Sequence, residues 1–107
     1  ALDDYPDFII PCAKAVSKDQ KSRGIIFGGS GQGEAMAANR IKGVRAAVFY
    51  NGLDEIIQLS RQHNNANILS IGARFMMESE IQSAIEIWLK EPFEGGRHVK
   101  RIEKLDI

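Results

Sequence analysis

Gly28-Gly29-Ser30-Gly31-Gln32-Gly33-Glu34 places four glycines, one hydroxyl and one carboxylate in seven consecutive residues. The apolar run before it, Gly24-Ile25-Ile26-Phe27, reads as a buried strand. Ala35-Met36-Ala37-Ala38-Asn39-Arg40 behind it reads as a helix. A strand, a glycine turn and a helix start make an anion site, because backbone N–H groups point outward and the helix dipole favours negative charge. A carboxylate is a poor phosphate ligand, so Glu34 suggests that the loop does chemistry as well as binding. Position alone leaves plainer readings open. Glu34 could simply satisfy the dipole, and Ser30 could be a turn residue.

Two familiar loop types fail on this stretch. A Walker loop needs a lysine that is absent, which argues against a nucleoside triphosphate. A dinucleotide loop counted from Gly29 needs glycine where Glu34 stands. The glycines still outnumber what a turn requires, and close backbone approach to a ligand accounts for them better.

Other polar residues are scattered. His63-Asn64-Asn65-Ala66-Asn67 lies between a helix and a strand. His63 could merely cap that helix. In an open α/β sheet a ligand sits outside the carboxyl ends of the strands. The His63 loop enters its strand from the amino end, so it would reach such a ligand most easily on a neighbouring subunit. Arg74 follows a strand in Gly72-Ala73-Arg74. Arg97 and Arg101 are spaced to share one helical face, where two guanidinium forks suit a phosphate. The plain alternative is a solvated basic tail.

The elements that must carry these groups alternate. Pro6 suits the first turn of a helix with Phe8, Ile9, Cys12, Ala15 and Val16 on its apolar face, and Pro11 should bend it. Strands are expected at Gly24 to Phe27, Arg45 to Phe49 and Ile68 to Ile71. Between them fall a helix over Gly33 to Arg40, closed by Lys42-Gly43, and another from about Ile56 to His63. Ser79 is the expected cap of a helix whose Ile81, Ala84, Ile85, Trp88 and Leu89 share a face, and Pro92 ends it. Arg97 to Ile107 reads as a short basic helix. Short buried strands between helices predict an α/β fold with a parallel sheet.

The chain has 107 residues, room for one small domain. Fourteen basic and fourteen acidic residues cancel, which argues against a general nucleic-acid or membrane-surface role. Cys12 is the single cysteine, so no internal disulfide forms and a reducing, cytoplasmic setting is expected. No apolar run approaches a membrane span.

Taken in order, these segments resemble ribose-5-phosphate isomerase B and its galactose- and allose-phosphate isomerase relatives. The resemblance rests on the glycine loop through Glu34, Ala37-Ala38-Asn39-Arg40, Gly43-Val44-Arg45-Ala46, Arg61-Gln62-His63-Asn64-Asn65-Ala66, Gly72-Ala73-Arg74 and Phe93-Glu94-Gly95-Gly96-Arg97-His98. It implies a three-layer α/β/α Rossmann-like sandwich, with five parallel strands in the complete family fold and about three here. Many family members carry a catalytic Cys where this chain has Gly28. The chain resembles the other version, in which a glutamate at the Glu34 position takes the proton.

The resemblance further implies that Ser30 and loop N–H groups around Gly29, Gly31 and Gly33 stabilise an enediolate. His63 would open the sugar ring, Asn64 would bind a hydroxyl, and Arg74, Arg97 and Arg101 would hold the phosphate. It implies a homodimer or tetramer whose sites are shared between subunits, with the His63 and Arg74 positions coming from the second one. No metal or organic cofactor is required. The family's opening strand and its Gly-x-Asp-His-Ala-Gly loop match nothing here, so residues 1–107 are expected to form one isomerase domain that is incomplete at its N-terminus. Ribose 5-phosphate is the expected substrate. The alternatives are a six-carbon sugar phosphate, with Asn51-Gly52-Leu53 altering the pocket wall, and a non-catalytic sugar-phosphate-binding subunit.

Overall fold

The computed structural model of the chain describes residues 4–106. Ala1 to Asp3 and Ile107, the ends of the predicted domain and tail, lie outside the described residues. The elements in order are α1 (Pro6–Lys18), β1 (Gly24–Gly28), α2 (Gln32–Ala38), β2 (Ala46–Phe49), α3 (Asp54–Gln62), β3 (Ile68–Gly72), a 3-10 turn (Ala73–Phe75), α4 (Glu78–Lys90) and α5 (His98–Glu103). Strands β1, β3 and β2 lie in that spatial order and run parallel. Gly24 pairs with Ile68 and Gly28 with Gly72, so the glycine loop leaves the sheet level with the end of the central strand.

Side-chain alternation along β3 divides the core. Ile68 joins Ile9, Ala13, Val16, Ile26, Ala38 and Val44 beneath α1 and α2. Leu69 and Ile71 join Phe49, Ile57, Ala84 and Trp88 beneath α3 and α4. The result is the expected three-layer α/β/α sandwich. Only β3 is buried on both faces throughout, because β1 and β2 are edge strands.

Several local expectations shift. The buried face of α1 is Ile9, Ala13 and Val16, while Phe8 and Ala15 are exposed. Cys12 packs on that core, and the helix continues through Pro11. Helix α4 starts earlier than Ser79: Met77 is the cap, and the Glu80 carboxylate accepts from its N–H at 2.7 Å. Leu89 is half exposed because α4 buries a narrower stripe, Ala84 and Trp88. Helix α2 ends at Ala38, with Asn39 as its C-cap; Asn39 then ties to Ala46 through two hydrogen bonds, N–H to Oδ1 and Nδ2 to O.

Candidate functional site

The glycine loop is held at the carboxyl end of the sheet by main-chain contacts. Gly31 adopts φ +76°, and a Cβ there would press on Gly72 N, Ile71 C and Ser70 Oγ at 3.1 Å. The fully buried Ser70 hydroxyl donates to Gly31 O at 2.6 Å. Glycine is therefore needed both for the left-handed backbone and for the close approach. Ser30 Oγ accepts from Gln32 N–H at 3.3 Å and stays part exposed at the loop's rim.

Glu34 lies in the first turn of α2 and folds back toward β1. A Cβ built on Gly28 would overlap the Glu34 Cδ and both carboxylate oxygens. The carboxylate thus occupies the space a residue-28 side chain would fill. Arg74 stands at the same end. Its N–H donates to Gly29 O at 3.0 Å, and its Nη2 would lie 2.9 Å from a Cβ on Gly29. Gly33 is covered by the Tyr5 phenol, whose oxygen would lie 2.7 Å from a Cβ there. Ser30, Gly29, Gly31, Gly33, Glu34 and Arg74 are brought together.

His63, the C-cap of α3, stands at the other end of the sheet, before β3 begins. Its ring stacks on His98, with centroids 4.4 Å apart and planes 14° from parallel. Both Nε2 atoms face Glu94 Oε1, at 3.8 Å from His63 and 4.0 Å from His98. Burial first, then the charges of His63, Arg97 and Arg101, hold His98 below the usual imidazole range, opposed by Glu94. Arg97 and Arg101 flank His98 on the start and exposed face of α5. Asn64 is exposed and lines a cleft of about 350 Å³ with Asn39, Arg45, Ser60 and Asp106, away from Glu34.

Two groups of site residues therefore occupy opposite ends of β3. Four residue steps separate Ile68 from Gly72, about 13 Å along the strand. One chain does not bring His63 and Glu34 to the same carbon. The resemblance grouped Arg74 with His63; the structure separates them and sets Arg74 beside its own chain's glycine loop.

The histidine end depends on Arg61, which sequence reasoning passed over. Arg61 is buried, and burial together with Arg23 and Arg45 lowers its pKa to about 10. Its Nη1 donates to Asn65 Oδ1 and to Ala66 O, each at 2.7 Å, and its Nε to Glu91 O at 3.1 Å. Asn65 sits at φ +47° within this clasp. Glu94 N–H donates to Gln62 O at 3.0 Å. The loop bearing His63 is thereby tied to the segment bearing Glu94. The available signal was Arg61's position one helical turn after Ile57, on the buried stripe of α3. His98, Glu94, Ser70 and Tyr5 were missed as well, because their roles depend on distant partners.

Among the described residues, His63, Glu94 and His98 each place a ligating atom within 4.8 Å of the others. A metal must lie in the plane of each imidazole that binds it. Nearly parallel stacked planes do not meet near the Nε2 atoms, so the trio is poorly arranged to share a metal ion.

A parallel α/β/α sandwich with a glycine loop at the carboxyl end of a strand defines the Rossmann-like class. The chain belongs to the Ribose/Galactose Isomerase family, whose model matches residues 1–105. It is 45% identical over 106 residues to a probable ribose-5-phosphate isomerase B of Mycoplasma genitalium, covering 98% of this chain and 68% of that protein. The Escherichia coli ribose-5-phosphate isomerase B is 37% identical over 102 residues, covering 95% and 67%. The crystal structure of the M. genitalium enzyme with bound ribulose-5-phosphate superposes with a TM-score of 0.91 at 44% identity, covering 98% of this chain and 68% of that one.

Proposed function

We infer that the chain is an aldose–ketose isomerase interconverting ribose 5-phosphate and ribulose 5-phosphate. The observation that carries this reading is the Glu34 carboxylate folded over Gly28, beside a hydroxyl and a bare backbone. In the reaction, Glu34 removes the C2 proton of the open-chain aldose. The C–H electron pair becomes the C1=C2 bond, and the C1 oxygen gains the negative charge of an enediolate. Glu34 returns that proton to C1 while the C2 hydroxyl's proton passes to the C1 oxygen, leaving a C1 hydroxyl and a C2 ketone, so atoms and charge balance. Ser30 and the N–H groups around Gly29, Gly31 and Gly33 stabilise the enediolate oxygen, a preorganised term that is commonly the largest in catalysis.

His63 opens the sugar ring, with Asn64 on a hydroxyl. Arg97 and Arg101 bind the phosphate, with Arg74 reaching in from the glycine-loop end. The separation of the two ends supports a shared site, in which the glycine loop of one protomer works with the histidine end of its partner. A homodimer is the smallest assembly that satisfies this, and a cytoplasmic setting suits the free thiol of Cys12. The described residues form a single isomerase domain. The chemistry needs no metal or organic cofactor.

The test is Glu34→Gln in the full-length protein. Loss of one general base costs about 10²- to 10⁴-fold in kcat. Unchanged turnover with substrate binding retained would remove Glu34 from proton transfer. A six-carbon substrate is the second reading. Tyr50 packs beside Gly72 and against Phe75 (rings 5.8 Å apart), so the Asn51-Gly52-Leu53 turn lies at the Glu34 end and can shape the sugar pocket. Comparing kcat/KM on five- and six-carbon sugar phosphates separates the two. Ligand binding with no turnover on either would favour the subunit reading.

A further inference from the structure

The geometry points to Glu94 and His98 as positioning residues for His63: His98 is the platform that fixes the His63 ring, and Glu94 is the counter-charge that keeps a proton on it. This rests on the ring-opening role proposed for His63.

Two imidazolium rings with centroids 4.4 Å apart would repel strongly, so at most one ring of the pair is charged at a time. Burial decides which ring a charge would favour. The His98 side chain is 9% exposed and the His63 side chain 40%. Charge is cheaper on the more exposed ring. The groups around His98 act in the same direction: Arg97 and Arg101 on its own helix and His63 from the end of α3 disfavour a second cation, and Glu94 alone favours one. Glu94 faces both Nε2 atoms and compensates whichever ring is charged.

Among the described residues neither histidine side chain is hydrogen-bonded, and Glu94 Oε1 is the acidic group facing both rings. The flat face of His98 is therefore what sets the plane of His63. The Arg61 clasp and the Glu94 N–H bond to Gln62 O keep the two segments in register. The arrangement delivers a proton-bearing imidazole, edge outward, to the ring oxygen of a cyclic aldose. On ring opening the Nε2–H bond breaks and the ring oxygen takes that proton to become a hydroxyl, while the C1 hydroxyl passes its proton to water as the C1–ring-oxygen bond breaks to give the aldehyde.

The experiment uses the full-length enzyme with ribose 5-phosphate in one direction and ribulose 5-phosphate in the other. The ketose is open-chain, because its C5 oxygen is esterified, so only the aldose direction needs ring opening before chemistry. His98→Leu is expected to lower kcat on the aldose about tenfold while sparing consumption of the ketose. His98→Phe, which restores a flat ring without a titrating nitrogen, should return it to within about threefold of the parent. Glu94→Gln should move the alkaline limb of the aldose pH profile down by about half a unit. Circular dichroism and melting temperature confirm that each variant folds.

If His98→Leu slows both directions equally, or if His98→Phe fails to rescue a folded protein, the platform role is overturned. An unmoved alkaline limb in Glu94→Gln overturns the counter-charge role. His63→Asn is the control for the underlying reading. Full aldose activity there would remove His63 from ring opening. Lost activity there, with parent-like behaviour in the His98 and Glu94 variants, overturns this inference alone.

Discussion

The two ends of the central strand are built by different physics. At the carboxyl end the loop from Gly28 to Glu34 is packed main chain against main chain, with one buried hydroxyl, Ser70, pinning Gly31. At the amino end, main chain is spanned by side chains. Arg61 clasps Asn65, Ala66 and Glu91, Gln62 Nε2 donates to Glu91 Oε2 at 2.6 Å, and His63 leans on His98. The first design leaves almost no freedom and exposes backbone N–H groups, which suits stabilising a developing oxyanion. The second is adjustable and charged, which suits moving a proton and gripping a phosphate.

The contrast can be broken most severely at Gly72. A Cβ there would collide with Ser30 O and lie 2.6 Å from Tyr50 Cβ. Neither neighbour is a flexible chain end, so Gly72→Ala should cost about 3 kcal/mol in denaturant unfolding and abolish turnover in the isomerase assay. The next largest effect is chemical. Because a residue-28 side chain and the Glu34 carboxylate compete for one space, the base can be moved. Glu34→Ala should lose about 10³-fold in kcat, and Gly28→Cys combined with it should recover about tenfold. That recovered activity should be abolished by iodoacetamide; a double variant no faster than Glu34→Ala would show that the shared space does not share the role.

At the other end, Arg61→Met should leave the Ala66 and Glu91 carbonyls and Asn65 Oδ1 unpaired. The expected loss is about 2–4 kcal/mol in chemical denaturation, with kcat on the aldose falling more than on the ketose. Equal stability in that variant would mean water replaces the guanidinium without penalty. The smallest effect is one of pH. Burial holds His98 below its ordinary value of 6.5 in the folded state. The unfolded chain therefore binds more protons just below that pH. Stability from this site is complete above about 6.5 and is lost as the pH falls toward the folded value. Melting temperature measured across pH 5–8 should decline on the acid side, and His98→Phe should flatten part of that decline.

The glycine loop was legible because its residues are contiguous and each type has a local reason. The strands and helices were legible from hydrophobic spacing, and their errors lie at ends, as with Met77 in place of Ser79. His98 and Glu94 were not legible as partners of His63. They lie more than thirty residues along the chain, and a histidine between two arginines reads as part of a basic tail. Arg61 carried a weak signal, a cation on the buried stripe of its helix, but a stripe does not say which carbonyls it will meet.

By itself, then, the sequence determined the α/β alternation, the loop that presents Glu34 and Ser30, and the set of arginines available for an anion, because these follow from local propensity and spacing. The tertiary structure alone decided that Glu34 takes the place of a side chain at Gly28, that Arg74 stands with the glycine loop, and that His63 stands one strand-length away, stacked on His98. Those relations depend on the parallel register of β1 and β3, which places the end of one strand and the start of the other at opposite ends of the sheet. No property of an isolated segment contains that register.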